Sequence, residues 1–142
     1  MHTILIPGFW LTGDSWAPVT RALEDAGHAA HPLTLPGMAP GENAAGVGLR
    51  THIDAVASLS DTLDGDVVLV GHSGGGAVPL PDRSVFAEPE PLLRQFMAEG
   101  HPYVAEFARA RSVRIVELPT GHWPQLTKPE ELAAAVVDAV TG

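Results

Sequence analysis

The sequence predicts an α/β fold: a parallel sheet of about four strands flanked by helices on both faces, a three-layer sandwich. Two short, unbroken apolar runs, residues 3–6 and 67–70, suit strands covered on both faces rather than strands with a wet side. Stretches with helical spacing lie between and after them, and the resulting β-α-β-α-β alternation implies right-handed crossovers and parallel pairing. At 142 residues the chain reads as one domain with a single core.

The first run, Thr3-Ile4-Leu5-Ile6, is stopped by Pro7-Gly8. After a loop at residues 9–13, Asp14 or Ser15 is positioned to cap a helix with Trp16, Val19, Leu23 and Ala26 on one side, closed by Gly27. A second strand is expected at residues 28–35, ended by Pro36-Gly37, and residues 38–48 read as loop from their Gly, Ala and Pro content. Residues 49–63 form a helix in this reading, with Ile53, Val56, Leu59 and Leu63 inward, and Asp64-Gly65-Asp66 turns the chain into the next strand. Beyond Val78 the prolines at 79, 81, 89 and 91 predict loop, so the single domain carries an irregular segment at about 79–91. Helical character returns over residues 92–111, broken at Gly100-His101-Pro102, and a last strand is expected at 112–118. Thr127-Lys128-Pro129-Glu130 has the form of a capping box opening a final helix that buries Leu132, Val136 and Val140.

The composition excludes several function classes. A net charge of −9 with only eight Lys and Arg, scattered, argues against nucleic acid as a partner. No cysteine is present, so a disulfide framework, a thiolate metal site and a thiol nucleophile are all ruled out. The first residues carry no basic leader and too short an apolar run for a signal or a membrane span, and the expected location is cytoplasmic. His2, His28, His31, His52 and His101 show no metal-ligand spacing, and no metal or other cofactor is expected. Gly74-Gly75-Gly76 at a helix start would suit a phosphate, but the Lys and Ser/Thr of a phosphate loop are missing.

Chemistry concentrates in Gly71-His72-Ser73-Gly74-Gly75, which follows the apolar strand directly. Gly-x-Ser-x-Gly between a strand and a helix start is the pattern of a nucleophile elbow, in which a sharp turn pushes the serine hydroxyl out where a base can take its proton. Glycine-rich turns meet the bare pattern by accident. The preceding strand and the downstream Gly121-His122-Trp123, in the order Ser before His, favour the chemical reading, with Ser73 as nucleophile.

Ile6-Pro7-Gly8-Phe9-Trp10, the elbow, and Pro119-Thr120-Gly121-His122-Trp123-Pro124 together resemble the α/β-hydrolase superfamily, in particular its small bacterial esterase-like members. The resemblance covers residues 4–77 and about 92–140. In that family two further parallel strands, usually a cap, and an acid-bearing loop lie between the nucleophile and the final histidine. Here only 49 positions separate Ser73 from His122, so the chain looks internally shortened, with Val78-Pro79 and Glu90-Pro91 as seams.

The resemblance implies His122 as general base and the backbone N–H groups of Phe9 and Gly74 as an oxyanion hole. Trp10, Met38 and Trp123, with Phe9, would line an apolar pocket, ordinary core packing being the alternative. His72 reads as a packing and hydrogen-bonding residue, since its direction from the turn opposes that of Ser73. Of the carboxylates in the interval, Glu88, Glu90, Glu99, Glu106 and Glu117 are less suited to be the orienting acid than Asp82, which competes with a plain turn role. The expected function is a serine hydrolase cleaving a small uncharged ester or related acyl compound. The alternatives are a crippled or non-catalytic relative lacking its acid, and a lyase use of the same Ser/His pair. The expected partners are a small-molecule substrate and no membrane. Loss of strands beside the elbow strand would leave an edge, filled either by residues 112–118 or by a second copy of the chain in a homodimer.

Overall fold

In the computed structural model, strands β1 (His2–Ile6), β2 (Ala29–Pro32), β3 (Val67–His72) and β4 (Ser84–Ala87) form one parallel sheet in the order β2-β1-β3-β4. The structure describes residues 1–77, 84–87, 95, 98–100, 116 and 118–142. The helices are α1 (Ala17–Asp25), α2 (Leu49–Ser60), a single turn α3 (Pro124–Thr127) and α4 (Pro129–Thr141).

Strand alternation sorts the core into two layers. Leu5, Val68 and Val70 pack with Trp16, Val19 and Leu23 at α1 and Leu132, Val136 and Val140 of α4. Ile4, Ile6 and Leu69 face the other way, onto Leu35 and Val56. Helices therefore cover both sheet faces, as the unbroken apolar runs predict. Each fully buried aliphatic side chain contributes roughly 1.5–3 kcal/mol, so the two layers carry most of the stability of the fold.

Several boundaries differ from the sequence expectation for identifiable reasons. A 3-10 turn, Gly13–Trp16, precedes α1, and neither Asp14 nor Ser15 caps it; the Ser15 hydroxyl donates to Thr12 O instead, at 2.8 Å. β2 is four residues rather than eight, ending at Pro32 on the outer edge of the sheet, and Leu33 N–H makes one further bond to Leu5 O at 2.9 Å. α2 stops at Ser60, and a turn closed by Thr62 N–H and hydroxyl to Leu59 O brings Leu63 onto the second core layer. The capping box at α4 is not formed: Thr127 donates to Trp123 O at 2.9 Å, and Lys128 occupies the cap position without a side-chain bond.

The larger correction concerns the stretch after the elbow. Residues 84–87 lie inside the proline-rich segment expected as loop, yet they pair with β3 in register from Leu69↔Ser84 to His72↔Ala87. The flank of β3 expected to be open is filled by these residues, not by 112–118. Of that expected strand only Val116 and Leu118 are described, and neither is in a strand. The expected helix over 92–111 lies largely outside the described residues. Among the described residues no helix is long and apolar enough to cross a membrane.

Candidate active site

The chain moves from β1 outward to β2, then returns to place β3 on the other side of β1. In an open parallel sheet this reversal opens a crevice beyond the carboxyl ends of the two strands, where ligands bind. Gly8 and Phe9 follow β1 and Ser73 follows β3, so the two sequence-predicted loops meet at that crevice.

Ser73 has φ of +51°, a left-handed conformation that side-chain-bearing residues adopt only when the surroundings impose it. It opens a 3-10 turn, Ser73–Ala77, directly after β3. Close packing explains the glycines around it. A Cβ on Gly75 would stand 2.6 Å from both Ile6 O and Pro7 O, and one on Gly74 would stand 2.5 Å from the Phe9 ring. A Cβ on Gly8 would lie 2.7 Å from His72 Nδ1 and 3.1 Å from Ser73 Cβ. The turn after β1 and the elbow are thus in direct contact. The sequence marks Gly8 as a strand stop and as part of the Ile6-Pro7-Gly8-Phe9-Trp10 motif, but not as the residue that packs against the elbow.

His122 stands on the loop between Leu118 and α3, and its Nε2 lies 3.1 Å from Ser73 Oγ, close enough to accept the hydroxyl proton. The structure therefore brings together the two residues predicted as nucleophile and base. His72 is fully buried beneath them, and its Nε2–H donates to the main-chain oxygen of His122 at 2.6 Å. Burial holds the His72 imidazole below the ordinary histidine pKa; the hydrogen bond to the His122 carbonyl pulls upward, and the charge of His122 again pulls down. Trp123 completes the cluster, its ring centroid 5.3 Å from His72 and 5.0 Å from His122.

The other predicted residues separate clearly. Asp82, with Glu88, Glu90, Glu106 and Glu117, lies outside the described residues; Glu99 is exposed and accepts from Gln95 at 2.9 Å. Among the described residues no carboxylate pairs with His122. Phe9 lies against Gly74, and Trp10, 85% exposed at φ +65°, sits edge-on to Phe9 at 6.1 Å. Met38 packs against the second core layer, the ordinary-core alternative.

Among the remaining histidines, buried His52 donates from Nε2 to Pro36 O at 3.1 Å and ties α2 to the loop after β2. His2 and His31, distant in sequence, meet across β1 and β2 with Nδ1 and Nε2 2.9 Å apart. Burial, then the neighbouring His2, lowers the His31 pKa. Among the described residues no group of three or more His, Cys, Asp or Glu is arranged to hold a metal ion.

Comparison with known proteins agrees with this architecture. The model of the alpha/beta hydrolase family matches residues 3–110. A pyrethroid hydrolase from Sphingobium faniae JZ-2 is similar in structure, with a TM-score of 0.72 at 19% identity over 100% of this chain and 98% of its own. A histidine-to-alanine variant of a pyrethroid hydrolase gives 0.73 at 18% identity over the same shares. Polyneuridine aldehyde esterase matches 53% of this chain and 31% of its own at 29% identity, with a TM-score of 0.46. No functionally curated protein matches the chain.

Proposed function

We propose, since the chain belongs to the alpha/beta hydrolase family, that it is a serine hydrolase cleaving a small uncharged ester or related acyl compound. The observation that carries this reading is the 3.1 Å approach of His122 Nε2 to a Ser73 hydroxyl held on a left-handed backbone. As Ser73 Oγ attacks the substrate carbonyl, its proton passes to His122, which returns it to the departing alcohol. Water then attacks the acyl-enzyme with His122 again as base, releasing the acid and restoring Ser73.

The negative charge that develops on the carbonyl oxygen calls for two preorganised donors. The backbone N–H groups of Phe9 and Gly74 suit that role, supported by the contact between their residues. Exposed Trp10 and half-exposed Phe9 offer apolar area beside the nucleophile, which favours an uncharged acyl or alcohol group. Asp82 is the proposed orienting acid.

A second reading is a crippled relative, favoured by the lack of any described carboxylate on His122. Loss of the orienting acid from a serine triad lowers turnover by roughly 10⁴-fold. Turnover of p-nitrophenyl acetate separates the two. The hydrolase reading expects the wild type to exceed the Ser73→Ala, His122→Ala double variant, whereas equal rates establish the crippled form.

A further inference from the structure

We propose that His72 is a positioning residue: its buried imidazole grips the main chain of His122 and so sets the distance between the base and the nucleophile. The proposal rests on the reading of Ser73 and His122 given above and deepens it.

The two ring nitrogens of His72 have different surroundings. Nε2 donates to His122 O at 2.6 Å. Nδ1 is buried, has no hydrogen-bond partner among the described residues, and faces Gly8 so closely that even a methyl group there would stand 2.7 Å away. A proton on Nδ1 would be buried without an acceptor, so the ring is fixed as the neutral tautomer that carries its proton on Nε2. That tautomer is the one able to hold the carbonyl of His122.

The arrangement links three loops through one side chain. Below is the turn after β1 that carries Phe9, in the middle is the elbow itself, and above is the loop that carries the base. His122 is exposed, so its own side chain has little packing to fix it beyond the rings of Trp123 and His72. Anchorage of its main chain therefore governs where Nε2 rests. The described contacts place one titratable group against His72, namely His122; the turn after β1 contributes Gly8 and the base loop Trp123, neither of them charged.

Substitutions separate the donor from the packing. His72→Phe keeps a flat ring without a donor, His72→Gln keeps a donor at about the reach of Nε2, and His72→Asn keeps an amide too short to reach. The experiment measures kcat and KM for p-nitrophenyl acetate together with thermal midpoints. We expect His72→Phe and His72→Asn to lose about 10²-fold in kcat, the scale of a misplacement of about 1 Å. KM should stay within about twofold, and His72→Gln should recover most of the loss. A purely structural role would lower the thermal midpoint without the split between kcat and KM or the rescue by Gln.

Wild-type kcat in His72→Phe, or no advantage of Gln over Asn, overturns the proposal. If His72→Phe does not fold, the comparison of Gln with Asn decides alone. Full activity in Ser73→Ala removes the nucleophile reading and this proposal together, whereas an inactive Ser73→Ala beside a fully active His72→Phe removes this proposal only.

Discussion

The two ends of the sheet use glycine for opposite reasons. At the amino ends, Gly27 before β2 and Gly65 before β3 have φ of +81° and +92°, and a Cβ at either would meet nothing within 4 Å. These are turn glycines, needed for conformation alone. At the carboxyl ends Gly8, Gly74 and Gly75 are hemmed in by backbone oxygens, the Phe9 ring and His72. Space, not conformation, selects them. One end of the sheet tolerates change, and the other is assembled from contacts too close for any side chain.

Four predictions sharpen or break this contrast. The largest effect belongs to the proposed reacting pair: Ser73→Ala or His122→Ala should each lower kcat by about 10⁴ to 10⁶-fold, with the double variant no worse, because residues that act as a unit do not add. Initial rates on an activated ester check it. Gly75→Ala comes next. Its methyl must push aside the carbonyls of Ile6 and Pro7, so overpacking should lower stability by about 1–3 kcal/mol. The accompanying displacement of the elbow should lower kcat by about 10²-fold. Chemical denaturation and kinetics on the same sample measure both.

A smaller effect concerns pH. An unfolded histidine takes up its proton near pH 6.5, whereas buried His72 takes it up only at lower pH. Between these two values the unfolded chain binds the extra proton, so stability falls as pH drops through 6.5 and levels off below the folded value. His31, shifted the same way, adds to this fall, and replacing His72 should remove only its own part. Urea midpoints between pH 7.5 and 5 read the slope. The smallest effect is Gly27→Ala, at about 1 kcal/mol from the left-handed backbone with activity unchanged, measured by the thermal midpoint.

The same contrast explains how much of the molecule is legible in its sequence. β1, β3 and the inward faces of α1, α2 and α4 follow from local patterns, because burial on one or both faces writes a period of apolar residues into the chain. Ser73 and His122 were legible through the elbow pattern and the order of the two residues. β4 was not, since prolines on either side mask four residues whose pairing is supplied by β3. The meeting of His2 with His31 was equally hidden, because it depends on the register between β1 and β2 rather than on spacing. Gly8 and the grip of His72 on His122 required knowledge of which loops converge. Local propensity carries no information about a contact between residues 72 and 122. The capping box failed for a related reason: Thr127 found the carbonyl of Trp123 one turn back and left the cap to Lys128.

Covalent capture tests the central claim most directly. A fluorophosphonate probe reacts with a serine only when a neighbouring base activates it, and mass spectrometry of the digested protein locates the adduct. A single adduct on the peptide containing Ser73, absent from His122→Ala, is the predicted result. An unmodified Ser73 in the folded protein, or an adduct that persists unchanged without His122, would contradict it.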